Sequence, residues 1–119
     1  MSIKQIADRL IELCRKGDFD TAQHELYAQN AISIEPEASP GFAKETIGLD
    51  AIIGKGNKFA DMVETYHELR LSEPLIAGSS FACNLFMDIT MKGKGRMQIT
   101  ELCVYSVKDG KIILEQFFM

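Results

Sequence analysis

A chain of 119 residues with 46% hydrophobic and 25% charged side chains has the size and balance of one globular domain, able to bury a core without disulfide staples. Its formal charge of -4, from 13 basic against 17 acidic side chains, argues against a nucleic-acid partner, which requires a basic face. No apolar run nears the ~20 residues of a bilayer span, and Met1-Ser2-Ile3-Lys4 leads into a polar-faced helix instead of a signal peptide, so no membrane partner and a cytoplasmic location are expected. Cys14, Cys83 and Cys103 match neither a disulfide framework nor a paired metal-site spacing, and read as buried free thiols in a reducing compartment.

The first element is announced by Ser2 and Gln5, which have the form of a capping box. Ile3, Ile6, Ala7, Leu10, Ile11 and Cys14 then recur at helical spacing as far as Gly17. Asp18 is placed to cap a second helix with a buried stripe of Phe19, Ala22, Leu26 and Tyr27, ending near Asn30. Ala31 to Glu35 alternates as a short edge strand, stopped by Pro36. Residues 36–48 hold two prolines and two glycines without periodicity and read as a loop that folds over a site. Ile52, Gly56, Phe59 and Val63 mark a third helix.

From His67 the period becomes two, with strands over 67–76, 81–91, 96–107 and 112–119. Turns fall at Gly78-Ser79, Gly93-Lys94 and Lys108-Asp109-Gly110. A two-residue Gly93-Lys94 turn sets Phe86 opposite Glu101 and Asn84 opposite Cys103, and the three-residue last turn sets Cys103 opposite Glu115. One sheet face then carries His67, Asn84, Phe86, Asp88, Glu101, Cys103, Glu115 and Phe117. The other carries Phe81, Cys83, Leu85, Met87, Leu102, Val104, Leu114 and Phe118. Two largely apolar faces need two covers, and three helices cover one, so the outer face is expected to pair with a second copy of the chain.

In that register Asp88, Glu101 and Glu115 share a dry surface, where at least one carboxyl should have a raised pKa and be able to take or give protons. Glu35 lies on the side of its strand opposite Ile32 and Ile34, beside the loop. Glu64 and His67 have the Glu-x-x-His spacing of bridged metal sites, but such sites need two copies and the chain has one, so neither a metal nor a cofactor is expected. His24 reads as a solvated residue, and Gly93-Lys94-Gly95 as a hairpin turn, not a phosphate loop.

Two helices ending at Gly17-Asp18, a strand closing at Glu35-Pro36, a third helix and a meander ending Asp109-Gly110-Lys111-Ile112 resemble the nuclear transport factor 2-like superfamily over the whole chain, 1–119. Met87-Asp88, Gly95-Arg96, Glu101-Leu102-Cys103-Val104-Tyr105 and Glu115-Gln116-Phe117-Phe118 are most similar to small SnoaL-like proteins, relatives of ketosteroid isomerases and polyketide cyclases. The resemblance implies an α+β cone, three N-terminal helices on a curved antiparallel sheet that encloses a pocket, and a homodimer through the outer sheet face. In the isomerases the proton-shuttling carboxylate precedes a proline at the end of the first strand, which matches Glu35. Their two oxyanion donors fall on Leu10 and near Cys103. The cyclases' acid falls at Phe117, one step from Glu115.

Together these readings give catalytic candidates Glu35, Glu101, Glu115 and Asp88, with Glu35 as general base, and ligand-lining candidates Leu10, His67, Asn84, Phe86, Cys103 and Phe117. The function expected is binding of a small, mostly apolar molecule and metal-free proton transfer of the isomerase, cyclase or hydratase kind. Two alternatives stand beside it: a non-catalytic ligand-binding dimer of the same shape, and a pure assembly module whose interior is filled by side chains.

Overall fold

The computed structural model describes residues 1–119 throughout and has three helices and seven strands. Helix α1 (Ile3–Arg15) starts at the expected box: the Gln5 N–H donates to Ser2 Oγ at 3.1 Å and the Ser2 N–H donates to Gln5 Oε1 at 2.8 Å. Its Ile6, Ala7, Leu10, Ile11 and Cys14 stripe is buried. Asp18 precedes α2 (Phe19–Leu26) but makes no side-chain cap, against expectation.

Helix α2 stops at Leu26, four residues earlier than the periodicity suggests, because Tyr27 enters the sheet. Strand β1 (Tyr27–Ile34) runs parallel to β7 (Lys111–Phe118), with Tyr27 against Ile112 and Ser33 against Glu115. Sheet pairing here overrides a local helical pattern. Part of the expected loop also becomes a strand, β2 (Glu45–Ile47), which pairs antiparallel with β1 and takes the sheet edge from it. Helix α3 (Leu49–Met62) follows and buries Leu49 and Ile52.

The expected strand over 67–76 is two strands, β3 (Val63–Leu71) and β4 (Leu75–Ala77), broken beside Pro74, which has no N–H for a ladder. Both pair with β5 (Ser80–Met91), which pairs with β6 (Gly95–Lys108), and β6 pairs with β7. The strand order is β2-β1-β7-β6-β5-β3. Helices pack on the inner face of this curved sheet, where Phe81, Cys83, Ile89, Cys103 and Ile112 join Ile6, Leu10, Leu26 and Ile52 in one core. No helix is long and apolar enough to cross a membrane, and all three cysteines are buried and unpaired.

Two turns decide which side chains reach that face. The β5–β6 turn spans Lys92, Gly93 and Lys94, with Met91 opposite Gly95, so Glu101 lies opposite Leu85 and Cys103 opposite Cys83. One residue of slip turns all of β5 over. Phe81, Cys83, Leu85 and Met87 point inward, while Asn84, Phe86 and Asp88 point outward beside Leu102 and Val104. The β6–β7 turn is a tight Asp109-Gly110 pair with φ of 52° and 75°, and a bulge near Val107 restores the parity. Glu115 and Phe117 therefore share the inner face with Glu101 and Cys103 as expected, although their direct partners are Tyr105 and Cys103.

Because Gly110 holds a left-handed conformation that costs an L-residue roughly 1–2 kcal/mol, Gly110→Ala is expected to lower the unfolding free energy in urea by about that much. An unchanged midpoint would show that the turn is free to take another form.

Candidate functional site

The parallel pairing of β1 with β7 places Ser33 directly beside Glu115 on the inner face. Both are buried, as is Tyr27. Ser33 Oγ donates to Glu115 Oε2 at 2.6 Å, and the Tyr27 hydroxyl donates to Glu115 Oε1. Each carboxylate oxygen of Glu115 thus has its own donor, which a buried charge needs. From α3, Lys55 reaches across and donates to Ser33 Oγ at 2.6 Å and to Glu35 Oε1 at 2.8 Å. The result is a continuous chain of polar groups, Tyr27–Glu115–Ser33–Lys55–Glu35, running from the core to the end of β1.

Glu101 stands beside this chain and is not part of it. It is half-buried, and burial is the largest influence raising its pKa to about 7, followed by the charges of Glu35 and Glu115, with Lys55 opposing. Burial also raises the Glu115 pKa, opposed by its bonds from Ser33 and Tyr27 and by Lys55. Two carboxyls on one face therefore differ in environment. Glu115 is fully hydrogen-bonded and enclosed, whereas Glu101 is unpaired, with half-buried Ile99 and Phe117 on the same face.

Of the candidates named from the sequence, the fold brings Glu35, Glu101, Glu115 and Phe117 together, and Lys55 Nζ lies 5.8 Å from the Phe117 ring centroid. Leu10 and Cys103 face the same interior but lie within the core, each 1% exposed. Asp88, Asn84 and Phe86 are on the opposite face, because of the β5 slip. Asp88 accepts two bonds of 2.9 Å from the Arg96 guanidinium, which holds its carboxyl below the usual range. Arg70 stacks over Phe86 at 4.5 Å. His67 is exposed and bonds Thr90 Oγ1 at 2.7 Å on the outer side.

Lys55, Ser33 and Tyr27 are site residues that the sequence reading passed over. Lys55 stands three residues after Ile52 and four before Phe59, on the apolar stripe of α3, and a lysine there is the signal. Two clefts of about 480 and 420 Å³ open beside α1, one between Arg15, Lys16 and β3 at its C-terminal end, the other along Lys4, Asp8 and Glu73. Neither touches the carboxylate group. Their charged rims pair with each other, as in Lys4–Asp8 and Arg15–Glu73, and present no converging groups that need a ligand.

The raised Glu101 pKa fixes a sign for the pH dependence of folding. The native state keeps a proton that the unfolded chain releases near 4.5, so this contribution is full below that pH and is lost as pH rises to about 7. Glu101→Gln removes the loss, and its urea stability relative to wild type is expected to improve by about 2 kcal/mol between pH 4.5 and pH 8. Parallel stability curves for the two proteins would mean that Glu101 titrates normally.

Comparison with known proteins agrees with this architecture. The SnoaL-like domain profile matches residues 1–119. A Mesorhizobium loti structure described as a candidate SnoaL-like polyketide cyclase is 30% identical, with a TM-score of 0.92 and coverage of 100% of each chain. A cystatin-like-fold protein of Xanthomonas campestris superposes with a TM-score of 0.84 at 18% identity, covering 99% of this chain and 90% of that one. A candidate isomerase of Bacillus subtilis superposes at 0.73 and 18% identity, covering 98% and 88%. None of the curated proteins matches the sequence. The full-length profile match and the 30% identical relative show that this chain belongs to the SnoaL-like domain family, within the nuclear transport factor 2-like superfamily.

Proposed function

We propose that the inner face binds a small, mostly apolar molecule and that Glu101 moves a proton on it, in an isomerase- or cyclase-type reaction that a carboxyl group performs without metal or cofactor. The observation that carries this reading is the unpaired Glu101 carboxyl, whose pKa of about 7 lies where one group both takes and returns a proton in neutral solution. Kinship with the 30% identical candidate cyclase supports the reaction class.

The role of base passes from Glu35 to Glu101 in this account. Glu35 is engaged by Lys55 at 2.8 Å, whereas Glu101 has no hydrogen-bond partner. Glu35 then serves to position Lys55, and Glu115 to hold Ser33 and Tyr27. Asp88 has no part, being bound to Arg96 on the other face.

Deuterium exchange tests the proposal. A panel of ketones with activated α-hydrogens, incubated with the protein in D2O and followed by NMR, should include members whose exchange is accelerated, with the rate rising as pH passes through about 7. Glu101→Gln should slow that exchange by roughly 10² or more while the fold persists. A larger loss in Glu35→Gln than in Glu101→Gln would return the base to Glu35. Binding of the panel with no exchange would favour the non-catalytic module.

The outer face supports a second part of the reading, a homodimer. Leu102 and Phe118 are 46% and 47% exposed there, flanked by half-buried Val104 and Leu114. A stable association buries at least ~1,000 Å² in total. Sedimentation should give twice the 13.3 kDa of one chain, and Val104→Arg should return it to monomer by leaving an unpaired charge in the interface. A wild-type monomer at micromolar concentration would end the dimer proposal.

A further inference from the structure

Proton removal next to a carbonyl leaves negative charge on the carbonyl oxygen, and that charge needs a donor. The inner-face donors can be counted. The Tyr27 hydrogen is given to Glu115 Oε1 and the Ser33 hydrogen to Glu115 Oε2. Tyr105 is buried in the core, stacked on Phe81 at 4.8 Å, and the Cys83 and Cys103 thiols are buried weak donors. Lys55 has three N–H groups, of which one goes to Ser33 Oγ and one to Glu35 Oε1. One is uncommitted.

We propose that Lys55 is the oxyanion donor of this site, its third N–H holding the oxygen that becomes negative when Glu101 removes a proton, so that the ligands selected are enolisable carbonyl compounds and acidic phenols. The inference rests on the proton-transfer reading above and names the chemical class that reading leaves open. In the step, the ligand C–H bond breaks, its electron pair forms the C=C bond of the enolate, and the carbonyl π pair moves onto oxygen. The proton ends on Glu101, which returns it to the same carbon in an exchange or, where the enolate is conjugated with a second C=C bond, to the γ-carbon of that dienolate.

Charge conservation favours the arrangement. Before the step the negative charge is on Glu101, and afterwards it is on the ligand oxygen, so a face that already holds Glu35 and Glu115 gains no further anion. Lys55 reaches the face that Glu101 shares, through its bond to Ser33 beside Glu115. Its side chain is only 14% exposed and lies 5.8 Å from the Phe117 ring centroid, where weak screening strengthens its hold on an anion. Neither Leu10 nor Cys103, the positions that the family resemblance assigns to oxyanion donors, supplies an N–H or O–H.

A nitrophenol, whose ionised form differs in colour from the neutral one, reports the donor directly and without turnover. Wild-type protein should bind the phenolate at least tenfold more tightly than the phenol, so that the bound probe ionises at lower pH than the free one. Lys55→Met should abolish the preference and Lys55→Arg should retain part of it, with Lys55→Gln in place of Lys55→Met if the latter does not fold. Binding without preference for the phenolate, or a preference that survives loss of the ammonium, overturns the assignment while leaving Glu101-dependent exchange intact. If the probe does not bind and no ketone exchanges, the proton-transfer reading fails and Lys55 loses its role with it.

Discussion

Lys55 brings one positive charge to a face that carries three carboxylates, and the arrangement of the site follows from that shortage. Its ammonium is shared between Ser33 and Glu35, and through Ser33 it supports the enclosed Glu115. Burying a carboxylate is tolerable only when its oxygens are bonded, and Tyr27 and Ser33 meet that need for Glu115. Glu101 receives none of these bonds. It meets its neighbours only through burial and charge, which together push its proton affinity towards neutrality.

The sheet topology makes this possible. Tyr27 and Ser33 are six residues apart on β1, yet both reach Glu115, because β1 lies alongside β7 with a bulge between its two contact points. Lys55 reaches the same place because α3 follows the β1–β2 hairpin directly and packs over β1. Both donors to Glu115 thus come from β1, and the cation that backs Ser33 comes from a helix joined to that strand through a short edge strand. A change in the length of the 36–48 segment would move Lys55 relative to Glu35.

Much of this was legible in the sequence. The capping box, the α1 stripe and the order of helices and meander follow from periodicity and turn chemistry. Glu35, the residue after β1, follows the alternation of the strand and falls on the side of Ser33, opposite Ile34. Glu35 stands just past the end of β1, before Pro36, and its neighbour is the Lys55 ammonium.

The failures of register have one physical origin, which is that side chains on a strand change face with a shift of a single residue. Lys92-Gly93-Lys94-Gly95 permits turns of two or three residues, and nothing local separates them; the three-residue form sends Asp88, Asn84 and Phe86 outward. At the last turn the misjudged loop length was cancelled by the bulge near Val107, so the faces came out right with the wrong partners. Tyr27 was hidden by a helical pattern that pairing with Ile112 overrode. Lys55 was passed over between Gly54 and Gly56, although its place on the apolar stripe marks a half-buried charge.

The most direct test is the titration of Glu101 itself. With the glutamate side-chain carboxyl carbons labelled with ¹³C and assigned by comparison with Glu101→Gln, the Glu101 signal should move with a midpoint near about 7. A midpoint near the ordinary glutamate value of about 4.3 would mean that neither burial nor the charges of Glu35 and Glu115 govern this carboxyl, and the account of the inner face as a proton-transfer site would be contradicted.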